Sequence, residues 1–204
     1  MDRKSHWENV YSTKESAEVS WYQQQPARSL EILEQTGLCP DSTIIDVGGG
    51  DSTFVDTLVE RGLGHVTVLD LSGAALERAR ARLGSRANEV SWLESDVTHA
   101  KLQPNSYDYW HDRAVFHFLT EPEDRRAYVD QVLRAVKVGG YVLVATFAED
   151  GPTRCSGLPV VRYSADSLHS EFGRELHLVA TERENHQTPA GTAQPFLYCL
   201  CWRE

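Results

Sequence analysis

The feature of this sequence that most constrains its fold is the alternation of short apolar runs with amphipathic stretches. The runs have the length of β-strands, and the stretches between them repeat apolar residues with helical spacing. Predicted strands cover residues 43–47, 65–70, 90–93, 107–111 and 141–147, and predicted helices cover residues 28–36, 54–62, 73–83 and 123–136. Such alternation is typical of a parallel sheet with helices on both faces. The sequence therefore predicts an α/β, doubly wound fold.

The pattern changes after residue 147, where a loop rich in glycine and proline follows the fifth predicted strand. Two further strand-like runs come later, at residues 176–181 and 196–202, with no long helix between them. Consecutive strands without a crossover helix pair antiparallel. We therefore expect an antiparallel C-terminal hairpin at the edge of the sheet, and a single domain over residues 1–204.

Charge and cysteine content narrow the classes of partner. Acidic residues outnumber basic ones by 30 to 20, and the net charge of −10 disfavours binding to nucleic acid or to an anionic membrane. No apolar stretch approaches the roughly 20 residues of a membrane span, and the first residues lack the apolar run of a secretory signal. The four cysteines have no paired or zinc-like spacing, which favours reduced thiols and no metal site. We expect a cytoplasmic protein that acts on small molecules or proteins.

A glycine-rich turn follows the first predicted strand, in the segment TIIDVGGGDST. Ligands of such sheets bind outside the carboxyl ends of the strands, where Gly48 and Gly50 would let the backbone approach a ligand closely. Thr53 replaces the last glycine of a dinucleotide fingerprint, and no Walker lysine follows the glycines. Asp46 and Asp51 flank the turn, which favours a ligand with a cationic part over a pyrophosphate.

Acidic residues also end the next two predicted strands. A carboxylate at Asp70 can accept hydrogen bonds from both hydroxyls of a ribose. Asp96 can meet an adenine amino group, with the Val97 amide on a ring nitrogen. Each acid alone is also typical of a helix cap or a turn, but three acids at successive strand ends favour a nucleoside ligand.

These motifs together resemble those of the class I S-adenosylmethionine-dependent methyltransferases. IIDVGGGDS is similar to the acidic, glycine-rich first motif of that family, VTVLDLS to its second, LESDV to its third and YDYWHD to its fourth. LRAVKVGGYVLVATF is similar to the helix and strand that follow, and Ser52 stands where a third glycine is common. The resemblance covers roughly residues 7–204. It implies a Rossmann-like, seven-stranded, mostly parallel sheet in the order 3-2-1-4-5-7-6.

The resemblance also implies the cofactor, S-adenosyl-L-methionine. Gly48 and Gly50 would line its methionine part, Asp70 its ribose, and Asp96 with Val97 its adenine. The remaining predicted cofactor residues are Trp21, Asp46, Leu71 and His111.

By the same resemblance the chain has three parts. Residues 1–40 would form an N-terminal lid, residues 41–147 the cofactor-binding core, and residues 148–204 the acceptor-side loop and the C-terminal hairpin. WENVYSTKESAEVSWYQQQP resembles the cofactor-covering segment of small methyltransferases, including some that modify protein lysines. An amphipathic helix whose aromatic residues pack on the sheet explains the same pattern, so both interpretations stay open.

The loops expected to form the acceptor pocket contain the candidate catalytic residues Asp112, Arg113, His117, Cys155 and His186. Arginine beside a thiol acceptor favours its thiolate, and a histidine can remove a proton. For His117 the alternative is a core side chain, and for Cys155 it is a bystander in a loop. The tetrad N/D-P-P-Y/F, typical of enzymes that methylate amide or base nitrogens, is absent after the fourth strand.

The predicted function is methyl transfer from S-adenosylmethionine to a small-molecule acceptor, with a thiol or another soft nucleophile as the leading class. Protein lysine methylation and cofactor binding without transfer are the alternatives. Nucleic acid and membrane partners are not expected, and both a monomer and a homodimer stay open.

Overall fold

The computed structural model of the chain describes residues 2–204. Within this range seven strands form one sheet: β1 (Thr43–Val47), β2 (His65–Asp70), β3 (Val90–Glu94), β4 (Tyr107–Arg113), β5 (Val136–Phe147), β6 (Leu176–Gln187) and β7 (Ala193–Arg203). The α-helices are α1 (Arg3–Thr13), α2 (Ala27–Glu34), α3 (Phe54–Glu60), α4 (Gly73–Leu83), α5 (Pro122–Ala135) and α6 (Ala165–Phe172). A separate two-stranded hairpin pairs Arg154–Cys155 with Leu158–Pro159 in the loop after β5.

The strand order of the sheet is β3-β2-β1-β4-β5-β7-β6, which confirms the predicted topology. Strands β1 to β5 pair in parallel. Strand β7 runs antiparallel to both β5 and β6 and lies between them. The chain order reverses where β1 and β4 lie side by side, so the crevice outside their carboxyl ends is the expected place for a ligand.

Local capping sets the ends of the helix that follows β2. Ser72 Oγ accepts a hydrogen bond from Ala75 N at the start of α4. Gly84 ends the same helix with a φ of 59°, a conformation that favours glycine. Both ends are as the sequence predicts, and they place the N-terminus of α4 beside the carboxyl end of β2.

The structure extends β6 to Gln187, adds the short hairpin after β5, and differs from the predicted elements most at α6 and at the start of β5. Helix α6 lies outside the predicted helices, because its eight residues are too few for a helical pattern and a capping box between Ser164 and Ser167 starts it locally. Strand β5 begins at Val136 rather than at residue 141, because Val136 already pairs with Tyr107 of β4 before the register shifts. Neither difference alters the order of the sheet.

Helices cover both faces of the sheet, and each face has its own apolar core. On one face α5 and α6 bury Tyr128, Val132, Leu168 and Phe172. On the other face α2, α3 and α4 bury Leu33, Phe54, Leu58 and Leu76. Each large side chain so buried contributes roughly 1.5–3 kcal/mol, so the strand ends are held firmly from both sides. No helix within residues 2–204 is long and apolar enough to cross a membrane.

Candidate active site

A cavity of about 760 Å³, including its open mouth, lies outside the carboxyl ends of β1, β2 and β4. This main cavity is lined by six of the predicted cofactor residues: Trp21, Gly48, Asp70, Leu71, Asp96 and Val97. A side cavity shares Tyr11, Trp21, Gly48 and Arg113 with it, and is also lined by Asp46 and His111. The fold thus brings most of the predicted cofactor residues to two adjacent cavities.

The glycine turn needs small residues for packing as well as for ligand approach. Gly48 has a φ of 68°, and an added Cβ would collide with the Val115 side chain. Gly50 has a φ of 37°, and an added Cβ would lie 2.6 Å from Asp70 Oδ2. Gly50 lines neither cavity, so these contacts favour a role in supporting Asp70. Its contact with a cofactor stays a prediction.

Asp70 lies in the wall of the main cavity at the end of β2. Ser72 N donates a hydrogen bond to Oδ1 at 2.8 Å, which fixes the carboxyl group against the start of α4. Burial raises the pKa of Asp70 to about 7, although the hydrogen bond from Ser72 acts in the opposite direction. A buried carboxylate of this kind gains from the hydrogen-bond donors of a ligand.

Asp96 caps the short turn Val97–His99 that follows β3. Its Oδ1 accepts hydrogen bonds from Thr98 N at 2.9 Å and from Thr98 Oγ at 2.6 Å. Asp96 and Val97 both line the main cavity. The cap interpretation is therefore correct for Oδ1, and the position on the cavity wall keeps the predicted adenine contact available.

Asp46, His111 and Ser29 form a buried polar chain that joins β1, β4 and α2. His111 Nδ1 lies 2.7 Å from Asp46 Oδ1, and His111 Nε2 lies 2.8 Å from Ser29 Oγ. Asp46 Oδ2 is buried and has no hydrogen-bond partner within residues 2–204. Because both ring nitrogens of His111 are engaged, its contacts favour positioning Asp46 over touching a cofactor.

The charge of Asp51 is compensated within the protein. Arg82 Nη1 donates to Asp51 Oδ1 at 2.5 Å, and Arg78 Nη1 lies 3.6 Å from Oδ2. Ser16 Oγ also donates to this carboxylate. The contacts with Arg78 and Arg82 weigh against the expectation that Asp51 helps to attract a cationic ligand, which stays a prediction. Asp46 is the acid of the turn that keeps an unpaired buried oxygen.

Four aromatic side chains form one wall of the main cavity: Trp7, Tyr11, Trp21 and Phe118. Ring centroids lie 5.1 Å apart for Trp7 and Phe118, and 5.6 Å apart for Trp7 and Trp21. Trp7 and Tyr11 come from one face of α1, one helical turn apart. The same aromatic contacts pack α1 against the protein and form a wall of the cavity. The interpretation as a packed amphipathic helix and the interpretation as a cofactor-covering segment are therefore compatible.

Glu8 fastens α1 to the rim of the main cavity, a contact that the sequence does not reveal. Its carboxylate accepts hydrogen bonds from Gly73 N at 2.6 Å and from Ala74 N at 3.2 Å. These amides are among the first of α4, which have no partner inside their own helix. Two ion pairs also join α1 to other elements: Arg3–Asp124 and Lys4–Glu94. The spacing of the aromatic residues indicates a helix at α1, but no pattern in the sequence predicts which elements that helix packs against.

Arg113 lies at the end of β4, where the two cavities meet. Its Nε donates to Tyr198 OH at 3.1 Å and its Nη1 donates to Trp21 O at 3.2 Å. The Phe196 ring centroid lies 4.2 Å from Cζ. Nη2 is buried without a hydrogen-bond partner within residues 2–204, and Glu184 Oε2 lies 3.8 Å from it. A cation is thus fixed at the junction of the cavities with one donor group unsatisfied.

Cys155 also lines the main cavity and is 4% exposed. Burial raises the pKa of its thiol to about 11, which outweighs the opposing effect of nearby Arg113. The thiol is therefore uncharged near neutral pH, and an uncharged thiol is a poor nucleophile. These properties favour a wall residue over a nucleophile.

Iodoacetamide at pH 8 is expected to label Cys39 and to leave Cys155 largely unlabelled. Cys39 is exposed, whereas a buried thiol with a pKa of about 11 is ionised to only about one part in a thousand at that pH. Peptide mass spectrometry over a time course measures both rates. Labelling of Cys155 as fast as that of Cys39 would restore it as a candidate nucleophile, and a Cys39→Ser variant confirms the assignment of the fast site.

The other three candidate catalytic residues, Asp112, His117 and His186, line neither cavity. Asp112 accepts hydrogen bonds from two backbone amides of the loop after β4 and from the Tyr128 hydroxyl. His186 Nε2 donates to Ser20 O at 2.8 Å, and burial lowers the pKa of its ring. These contacts favour supporting roles, and the catalytic roles stay predictions.

His117 is fully buried between aromatic neighbours. Phe147 N donates to its Nδ1 at 3.2 Å, and the ring packs against Phe118 and Phe147. Burial lowers the pKa of His117 to about 3, with a further contribution from the positive charge of Arg113. A histidine that stays neutral and offers no exposed nitrogen fits the core alternative better than a general base.

Comparison with known proteins identifies the family. The chain superimposes with a TM-score of 0.77 on a structure solved under the heading "Conversion of a Disulfide Bond into a Thioacetal Group during Echinomycin Biosynthesis", at 21% identity and with 100% of this chain and 93% of that chain covered. This likeness establishes the fold. A family profile described as a methyltransferase domain matches residues 44–140, which hold the glycine turn and the three acidic strand ends. Residues 44–140 are a methyltransferase domain, on the sheet topology of the class I S-adenosylmethionine-dependent methyltransferases.

Curated relatives within the methyltransferases differ in the acceptors that their names state. The ubiquinone/menaquinone biosynthesis C-methyltransferase UbiE of Roseobacter denitrificans is 27% identical over 109 residues, which are 52% of this chain and 42% of the relative. EEF1A lysine methyltransferase 2 of Homo sapiens is 19% identical over 160 residues, which are 72% of this chain and 68% of the relative. The chain spans less than half the length of the relatives named UbiE that it matches. The relatives share methyl transfer and not an acceptor.

Proposed function

We propose that the protein transfers a methyl group from S-adenosylmethionine to a small-molecule acceptor in the cytoplasm, with a thiol or another soft nucleophile as the leading acceptor class. The observation that carries this proposal is the main cavity, where Gly48, Asp70 and Asp96 meet at the ends of neighbouring strands. The adjacent side cavity offers room for the methionine part of the cofactor. When bound, the cofactor supplies an electrophilic methyl group on a sulfonium.

The polar groups of the chain fit this cofactor. The Asp70 carboxylate suits the two ribose hydroxyls, and Asp96 with the Val97 amide suits the edge of adenine. Asp46 Oδ2, buried without a partner within residues 2–204, suits the ammonium group of the methionine part. The aromatic residues Trp21 and Tyr11 line the same cavity and suit a positive charge there.

Transfer from a sulfonium needs an aligned nucleophile and the exclusion of water, and it needs no covalent intermediate on the enzyme. The aromatic wall of α1 supplies the exclusion of water in this proposal. Arg113 supplies positive charge at the junction of the cavities, where it would favour the thiolate of an acceptor with a pKa near about 8.5. Stabilisation of the anion by Arg113 therefore takes the place of a general base, since His117 and His186 line neither cavity.

Calorimetry with S-adenosylmethionine tests the cofactor step. We expect saturable binding with one site per chain, and no binding of adenosine triphosphate at the same concentrations, because the turn lacks a lysine for phosphates. A dissociation constant weaker than about 1 mM, roughly 4 kcal/mol of binding free energy, would contradict the proposal.

Protein lysine methylation is the second candidate, because the similarity to human EEF1A lysine methyltransferase 2 extends over 72% of the chain. Incubation with cofactor labelled on the methyl group separates the candidates when a panel of thiols and a cell extract are offered in parallel. Label in volatile or organic-soluble products supports the small-molecule acceptor, whereas label confined to protein bands contradicts it. Turnover on any acceptor rejects the alternative of a binding module without transfer.

Replacing Glu8 with glutamine is expected to loosen α1 and to speed release of the cofactor product. The substitution removes the negative charge of the carboxylate that accepts hydrogen bonds from two backbone amides at the N-terminus of α4. This contact is worth about 1 kcal/mol. We expect S-adenosylhomocysteine to dissociate about fivefold faster in stopped-flow measurements, and the amides of residues 3–13 to exchange hydrogen faster. Asn9→Ala, at an exposed position of the same helix, is the matched control. Unchanged rates in the Glu8→Gln variant would show that α1 does not gate the cavity.

A further inference from the structure

The charges around the two cavities are arranged unevenly. Acidic side chains line the cofactor end of the main cavity, at Asp70 and Asp96, and the side cavity, at Asp46, whereas the charge of Asp51 is compensated by Arg78 and Arg82. Arg113 is the cation that lines both cavities, and Arg3, the other arginine of the main cavity, is paired with Asp124. The cofactor end is therefore suited to positive charge and hydrogen-bond donors, and the junction is suited to negative charge.

The guanidinium of Arg113 is buried but not neutralised by a hydrogen-bonded carboxylate. Its two hydrogen bonds go to uncharged oxygens, the Tyr198 hydroxyl and the Trp21 carbonyl. The nearest carboxylate, Glu184, lies 3.8 Å from Nη2 and accepts its hydrogen bonds from Tyr198 OH and Gln23 Nε2 instead. The Arg113 side chain is only 9% exposed, so water does not replace the missing acceptor freely.

A buried arginine with an unsatisfied N–H group gains more from an anion than from any other ligand. Stacking on Phe196 and the bonds to Tyr198 and Trp21 hold the guanidinium in place before a ligand arrives. Preorganisation of this kind lowers the entropic cost of binding and raises selectivity for the matching charge.

We propose that Arg113 anchors a negatively charged group of the acceptor, so that the natural acceptor is an acidic small molecule, a carboxylate or a thiolate. This inference rests on the proposed function and narrows its acceptor class. A lysine ammonium approaching the same junction meets a like charge at low exposure, which disfavours the protein lysine alternative. Arg113 acts in this proposal as the residue that determines acceptor charge.

Three compounds of one shape and different charge test the proposal: benzoate, benzamide and benzamidinium. The protein is first saturated with S-adenosylhomocysteine, and calorimetry then measures the binding of each compound. We expect benzoate to bind at least about tenfold more tightly than benzamide, as one charge-assisted hydrogen bond predicts, and benzamidinium to bind most weakly. In the Arg113→Gln variant the preference for benzoate should disappear.

Two further variants keep the test decisive. The double variant Arg113→Gln/Glu184→Gln removes the buried arginine together with the partly exposed Glu184, so it guards against misfolding caused by a lone Glu184. Arg162→Gln, which alters an exposed arginine outside both cavities, should leave benzoate binding unchanged. Circular dichroism of each variant checks that it is folded.

Equal binding of the three compounds, or binding of none of them, would overturn the proposal. A tenfold loss of S-adenosylhomocysteine affinity in Arg113→Gln with no change in benzoate affinity would also overturn it, because Arg113 would then hold the carboxylate of the cofactor. Failure of the wild-type protein to bind S-adenosylhomocysteine is a different result, which would contradict the proposed function itself.

Discussion

Replacing Asp70 with asparagine is expected to weaken S-adenosylmethionine binding by at least about 100-fold, because two hydrogen bonds from ribose hydroxyls to a charged acceptor are weakened together. The shape of the side chain and the contact with Ser72 N are kept, so the turn itself should stay intact. Calorimetry measures the affinity. Asp130→Asn, at an exposed position of α5, is the matched control and should bind like the wild type. An unchanged affinity in Asp70→Asn would remove Asp70 from the ribose site.

The same substitution is expected to stabilise the cofactor-free protein at pH 8. A carboxyl group whose pKa rises from 3.8 to about 7 on folding binds more protons in the folded state, so stability falls as the pH rises between these values. The full cost above pH 7 is on the order of 4 kcal/mol. We expect urea unfolding to show a gain of about 1–3 kcal/mol for Asp70→Asn at pH 8, since the new amide must also be buried. The gain should vanish near pH 4.

Cofactor affinity of the wild-type protein should in turn rise between pH 6 and pH 8. Ribose hydroxyls donate best to the ionised carboxylate, and the pKa of about 7 means that binding below this pH must first remove a proton. Calorimetry in buffers of different ionisation enthalpy should therefore detect proton release at pH 6.5. A pH-independent affinity, with no proton release, would mean that Asp70 does not meet the cofactor in its charged form.

Replacing Asp112 with alanine is expected to lower the free energy of unfolding by about 3–5 kcal/mol. The carboxylate accepts hydrogen bonds from Val115 N at 2.8 Å, Phe116 N at 3.1 Å and Tyr128 OH at 2.6 Å. All of these donors would lose their acceptor in a fully buried site. Urea unfolding monitored by circular dichroism measures the loss.

The Tyr128→Phe variant helps to distinguish a contribution of Asp112 to stability from a role in methyl transfer. It removes the hydrogen bond to Asp112 and also the acceptor of Trp110 Nε1, which donates to the Tyr128 hydroxyl at 2.8 Å, so it should cost about 2–3 kcal/mol. The double variant with Asp112→Ala should cost less than the sum of the two, because the tyrosine bond is counted in both single variants. A folded Asp112→Ala protein of unchanged stability with strongly reduced methyl transfer would instead support the catalytic role that the sequence predicts.

Much of the sheet could be predicted because its signals are local and repeated. The alternation of strand-like apolar runs with stretches of helical apolar spacing predicted the strands, and Ser72 and Gly84 predicted the ends of α4. Helix α6 escaped prediction because it depends on one capping box at Ser164 and on burial of Leu168 and Phe172 beneath the sheet. Burial of so short a helix is a property of the assembled fold.

The acids of the cavity could be predicted for the same reason, since parallel strands end at one edge of a sheet and bring Asp46, Asp70 and Asp96 together. The compensation of the Asp51 charge could not be predicted, because Arg78 and Arg82 reach Asp51 only through the packing of α4. The histidines of the acceptor side show the same limit. Position in the chain made His117 and His186 candidate bases, while their burial and lowered pKa values follow from contacts with β5 and β7.

Strand β7 lies inside the sheet, and it carries the Phe196 and Tyr198 side chains that hold Arg113. The residues that match the family profile end at residue 140, before this strand begins. If Arg113 anchors the acceptor as proposed, substitutions in β7 change the residues that hold Arg113 and leave the residues of the nucleoside end unchanged. Under the proposed role of Arg113, relatives that share the first part of the chain can differ in their second substrate through β7, the strand between β5 and the edge strand β6.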